Sequence, residues 1–89
     1  MSTMNIKKPL TESNFKNVKL EKVKSYFNIL NEELKLGFPK IVNGKKKTYI
    51  NYILRVLNDE NNLYYLHEGR IINDENIRNF INRVKPRYL

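Results

Sequence analysis

The sequence predicts an α+β domain that is mostly helical: three helices with one small β-hairpin. Three observations predict it. Apolar residues recur at three-to-four spacing in three separate stretches, each bounded by residues that start or stop helices. Between the second and third stretches, LYYLHEGRII places two short apolar runs on either side of Gly69. Finally, 89 residues with 40% hydrophobic content can bury one core and support one domain at most, and so short a chain buries only about 60% of its unfolded surface.

Residues 1–17 are polar and basic, contain Pro9 and keep no period. They are expected to form a flexible arm, with one turn after Thr11, ahead of a single domain over residues 18–89. From Leu20 the positions Val23, Phe27, Leu30 and Leu34 share one helix face, with Tyr26 beside them, and Gly37 and Pro39 stop that helix. KIVNGKKK, residues 40–47, reads as a loop or a brief strand around an Asn-Gly turn.

Thr48 is placed to cap a second helix, whose face carries Ile50, Ile53, Leu54 and Leu57 and is widened by Tyr49, Tyr52 and Val56. Few positions remain for solvent, so this helix is expected to be the most buried, with Leu54 at the centre of its core face. NDENN, residues 58–62, is a polar break. The hairpin follows, with Gly69 at its turn. Asn73 or Asp74 caps the last helix, which shows Ile77, Phe80, Ile81 and Val84 on one face and is ended by Pro86.

Composition then narrows the chemistry. Cysteine is absent and histidine occurs once, at His67. Disulfide scaffolds, zinc knuckles and thiol catalysis drop out, and nucleophilic catalysis loses its usual base. His67 and Glu68 are neighbours in the expected hairpin and point to opposite faces. Asp59 with Glu60 and Asp74 with Glu75 lack the spacing of a calcium loop, and the second pair reads as helix-dipole chemistry. The expectation is a non-enzymatic binding module with no cofactor and no metal. The first 15 residues hold no apolar run, so neither a signal peptide nor a membrane span is expected and the setting is taken as intracellular, cytoplasm or nucleus.

The formal charge is +8, but the chain also carries 14 Asn and no Ala, Gln, Trp or Cys. Lys, Asn, Ile and Tyr are what AT-rich coding favours, so the charge is discounted as a signal. Its distribution still matters. Lys45, Lys46 and Lys47 precede the second helix, and Arg83, Lys85 and Arg87 close the chain. These six are the candidate nucleic-acid contacts, because a phosphate backbone needs several cations on one face and a helix start adds free amides. Such a surface holds backbone without reading bases. Tyr49, Tyr52, Tyr26, Phe27 and Phe80 fall at core spacing, which leaves Tyr64, Tyr65 and Tyr88 as the freer aromatics.

Four segments in one order resemble the SWIB domain family. Leu36-Gly37-Phe38-Pro39 looks like its Leu-Gly-apolar-Pro turn, and Lys47-Thr48-Tyr49-Ile50 resembles the start of its central helix. Glu60-Asn61-Asn62-Leu63 is similar to the stretch that ends that helix, and Ile71-Ile72-Asn73-Asp74-Glu75-Asn76-Ile77 resembles its strand-to-helix signature. The resemblance spans residues 34–81, and this sequence ends before the family's closing helix. It implies a SWIB-like fold and a protein-interaction role in a chromatin or transcription setting, in which an apolar groove accepts an amphipathic segment.

The second helix has more apolar positions than one face needs, so Ile50, Leu54, Leu57 and Tyr64 are expected to wall such a partner groove or to mediate self-association. Two rival readings compete with this one. One is a small viral or mobile-element protein that inhibits a host factor by surface binding in an infected cell. The other is a SAP-like DNA-binding module, which LKLGFP followed by NGKKK resembles.

Overall fold

A computed structural model describes residues 10–59 and 72–89. Their elements are a short 3-10 turn, Glu12–Phe15, followed by helices α1 (Leu20–Glu33), α2 (Lys46–Leu57) and α3 (Asp74–Tyr88). The α+β class is therefore corrected: the described residues are helical, with no strand among them. Where the backbone is extended it serves the helices instead. Asn73, at φ −149° and ψ 175°, is the N-cap of α3, its side chain accepting from the Asn76 N–H at 2.8 Å. The hairpin expected around Gly69, with Tyr64, Tyr65 and His67, lies outside the described residues.

The three apolar stripes meet in one core. Val23, Tyr26, Phe27, Leu30 and Leu34 enter from α1, and Ile77, Phe80, Ile81 and Val84 from α3, all buried. Each large aliphatic or aromatic side chain so enclosed contributes about 1.5–3 kcal/mol. Leu20, the first residue of the α1 pattern, stays 40% exposed. Phe27 joins α1 to α2 through Tyr49 and Tyr52, with edge contacts at ring separations of 5.4 and 5.7 Å, and stacks on Phe38 at 5.7 Å.

Helix α1 and helix α3 run parallel. Lys22 bonds to Asp74 at 3.2 Å and Lys85 to Glu33 at 2.9 Å, and both pairs are separated by 52 residues in sequence. A constant offset at both ends means the two helices advance together. The interval from one pair to the other is close to three whole turns, so both pairs fall on one side of the interface.

Helix boundaries depart from the sequence reading in three places. Helix α2 starts at Lys46 with Lys45 as N-cap, one turn before the expected Thr48 cap. Helix α1 stops at Glu33, before Gly37 is reached, because Lys35 turns left-handed at φ 51° and the Leu36 N–H reaches back to the Asn31 carbonyl at 3.1 Å. That six-to-one bond is the signature of a Schellman stop, with a lysine where glycine is usual. Pro86 lies inside α3, which continues to Tyr88.

The arm is packed where it is described. Asn14 Oδ1 accepts from the Thr11 N–H at 2.8 Å, closing the turn that drives Phe15 inward. Phe15 is 0% exposed and Leu10 7%, and the turn rests against α2. This corrects the groove reading. Ile50 and Leu57 are enclosed in the core and Leu54 is half-buried against it, while Tyr64 is outside the described residues. The surplus apolar surface of α2 finds its cover in Leu10 and Phe15, residues whose isolated apolar positions carry no helical period.

Candidate functional site

The cations expected at the start of α2 are its N-cap, Lys45, and its first two residues, Lys46 and Lys47, and the loop before the helix leads into them. Asn43 is left-handed at φ 58°, which a short polar side chain tolerates. Gly44 follows, and a methyl group there would overlap Ile41 Cγ2 and crowd the Tyr49 ring. The absence of a side chain at Gly44 lets the backbone there pack close to Ile41 and the Tyr49 ring.

Lys45 and Lys47 are exposed and Lys46 is half-buried. The Lys45 N-cap makes no side-chain cap, and the first turn of α2 has no acidic residue. The Thr48 N–H donates to the Lys45 carbonyl at 2.9 Å, and the amides of Lys46 and Lys47, at the positive end of the helix, have no side-chain cap.

The tertiary fold adds a fourth cation. A surface groove of about 390 Å³ between the 3-10 turn and α2 is lined by Glu12, Ser13, Phe15, Lys16, Lys46 and Ile50. Lys16 and Lys46 thus share one groove although 30 residues separate them in sequence. Glu12 is the single acid on its lining. Lys16 escapes the sequence reading because its segment reads as arm; Asn14 three residues after Thr11, followed by Phe15, is the local signal that marks a docked turn.

The other predicted contacts sit on a different helix. Arg83 and Arg87 are exposed on α3, whereas Lys85 is half-buried and turned to Glu33 of α1. Lys85 holds the Glu33 carboxylate below its ordinary range, first through their hydrogen bond and then through its charge. That lysine belongs to the α1–α3 interface.

A second groove, of about 500 Å³, opens between the N-terminal ends of α1 and α3, with Lys22, Tyr26, Asn73 and Asp74 on its walls. Tyr26 Oη donates to Asp74 Oδ1 at 3.0 Å, and Lys22 Nζ donates to Oδ2 at 3.2 Å. Burial, then the hydrogen bond to Asp74, pushes the Tyr26 phenol up to about 12. Lys22 first and Tyr26 second hold the Asp74 carboxyl below its usual value. Both carboxylate oxygens are occupied by this chain's own donors, and a phenol of so high a pKa is a poor proton carrier near neutrality. The arrangement is a clamp between two helices.

Two half-buried aromatics, Phe38 and Tyr52, lie 4.9 Å apart, with the Arg55 guanidinium 5.5 Å from the Tyr52 ring. Lys24 sits 5.9 Å from the ring of the buried Tyr49. Tyr52, placed at core spacing by the sequence, is thus only half enclosed. Among the described residues no cluster of three or more His, Cys, Asp or Glu could hold a metal ion, and no helix is long and apolar enough to cross a membrane. No family model, curated protein or solved structure matches this chain.

Proposed function

We propose that this domain binds the phosphate backbone of nucleic acid through the lysines gathered at the start of α2. The observation that carries the reading is the shared groove of Lys16 and Lys46, flanked by exposed Lys45 and Lys47. Cations from two distant segments converge there on a helix start that has neither a side-chain cap nor an acid in its first turn. Each phosphate neutralised releases counterions, so affinity of this kind is sequence-tolerant and falls steeply with salt. Lysine suits that task as a mobile point charge, without the fixed fork that arginine brings to base recognition.

The test is a salt titration of the full chain on a mixed-sequence duplex. Log affinity should fall linearly with log salt, and replacing Lys45, Lys46 and Lys47 by Ala should flatten the slope by up to about 0.9 per lost phosphate contact. Adding Lys16→Ala should flatten it further. No binding at low salt, or a slope that the triple substitution leaves unchanged, overturns the proposal.

A further inference from the structure

The solvent side of α2 carries no acid. Lys47, Asn51 and Arg55 recur every fourth residue and are exposed, which sets them in one row along the helix. Residues 34–58 hold the cations Lys35, Lys40, Lys45, Lys46, Lys47 and Arg55 and no carboxylate side chain, and Asp59 is the first acid beyond them. At about 100° per residue, the row is bordered on one side by Lys46, in the groove that Lys16 shares, and on the other by Tyr52.

At Tyr52 the row meets the aromatic cluster between α1 and α2. The Tyr52 ring lies 5.7 Å from Phe27 and 4.9 Å from Phe38. Phe27 is buried, whereas Phe38 and Tyr52 are half-buried and keep an outer surface. Phe38 is fixed in this place, since its N–H donates to Asn31 Oδ1 at 2.9 Å. The cluster has a cation against a ring on both helices: Arg55 is 5.5 Å from Tyr52, and Lys24, exposed on α1, is 5.9 Å from Tyr49. Partly open rings beside a row of phosphate-binding charges are what a single strand requires. Bases of a duplex stack on one another, whereas unpaired bases are available to aromatic side chains and guanidinium planes.

We infer that the outer side of α2 takes a single nucleic-acid strand: Lys46, Lys47 and Arg55 follow its phosphates, and an unpaired base stacks on the Phe38–Tyr52 pair. The inference rests on the nucleic-acid reading above and deepens it by naming the strand form, because stacking adds a base-dependent contact that a duplex does not make. That contact tolerates any sequence, since every base has a π face.

The experiment compares the full chain on a mixed-sequence single strand of about 12 nucleotides, an abasic strand of the same length and charge, and the corresponding duplex. The base-bearing strand should bind about five- to a hundredfold more tightly than the abasic strand, the range of one stacked base. Replacing Lys45, Lys46 and Lys47 by Ala should weaken both strands alike and preserve that ratio. Phe38→Leu with Tyr52→Leu keeps apolar cover over the core, and should bring the ratio to unity while duplex binding is unchanged. The chain has no tryptophan, so Tyr52→Trp supplies a single indole, whose emission should be quenched by the base-bearing strand and not by the abasic one. Where circular dichroism shows the leucine variant to have lost its fold, the indole decides. Equal affinity for the two strands, a ratio that survives the double substitution, or an unquenched indole in the bound complex overturns this inference, and backbone binding stands where affinity still depends on the three lysines. Absence of binding to every probe at low salt overturns both.

Discussion

Asn58, at the C-cap of α2, forms two hydrogen bonds with the backbone of Leu10: its Oδ1 accepts from the Leu10 N–H and its Nδ2 donates to the Leu10 carbonyl, each at 2.7 Å. The side-chain amide stands in for a strand partner and holds residue 10 across 48 positions of sequence. Leu10 is thereby fixed over the core, and the 3-10 turn that follows starts from an anchored point.

Asn58→Ala should lower unfolding free energy by about 1–3 kcal/mol, since it leaves a partly buried donor and acceptor without partners. Asn58→Asp keeps the acceptor but opposes a carboxylate to the Leu10 carbonyl, and should lose more stability at pH 7 than at pH 3. Urea titration at both pH values measures this; an Ala variant within about 0.3 kcal/mol of the parent chain would mean that the clamp does not form.

Phe15 tests the docking of the turn itself. Because its ring is 0% exposed, Phe15→Ala should destabilise by about 3–5 kcal/mol, a large share of the total for a domain of this size. Ser13→Ala, at an exposed position of the same turn, should stay within about 0.5 kcal/mol. Equal, small effects at both positions would show residues 10–17 to be an undocked arm.

Lys35 at φ 51° offers a stabilising change. Left-handed backbone costs a residue with a side chain about 1–2 kcal/mol, and glycine returns part of that as unfolded-state entropy. Lys35→Gly should therefore raise stability by up to about 1 kcal/mol. Gly37→Ala, at φ 74° with open space around it, should lower stability through backbone strain alone. Thermal melts of the two variants should move in opposite directions.

The α1–α3 clamp makes stability pH-dependent at both extremes. Asp74 and Glu33 have folded pKa values below their unfolded ones, so the folded state binds fewer protons there. Their contribution is complete above the unfolded carboxylate range and disappears as pH falls through the folded values. Tyr26 is shifted the other way, from 10.0 to about 12; its contribution is complete below the unfolded value and declines as pH rises across that interval. Denaturation midpoints of Tyr26→Phe should lack this alkaline decline, and Lys22→Met should shift the acid limb toward higher pH. Identical pH profiles for the parent chain and Tyr26→Phe would rule the clamp out.

The expected cations divide along the same line as the fold. Lys45, Lys46 and Lys47 were legible because they are adjacent in sequence and helical periodicity places them at a helix start. Lys16 was not, since only the docking of Phe15 brings it to Lys46. Lys85 was legible as a cation but not as a partner of Glu33, a pairing that follows from the parallel approach of two helices 52 residues apart.

By itself the sequence determined three helical stripes and their inward faces, because a 3.6-residue period is written in the order of side chains and needs no partner to be read. Val23, Phe27, Leu30, Ile53, Ile77, Phe80 and Val84 are all buried where that period places them. The tertiary structure alone decided which surfaces stay open. Ile50 and Leu57 read as groove walls from the width of the apolar face, and became core when Leu10 and Phe15 covered them. Covering depends on a hydrogen-bonded amide at Asn58 and a four-residue turn, and neither leaves a periodic trace. Periodicity reports which side of a helix turns away from water, whereas the identity of what lies against that side is set by contacts between residues far apart in the chain.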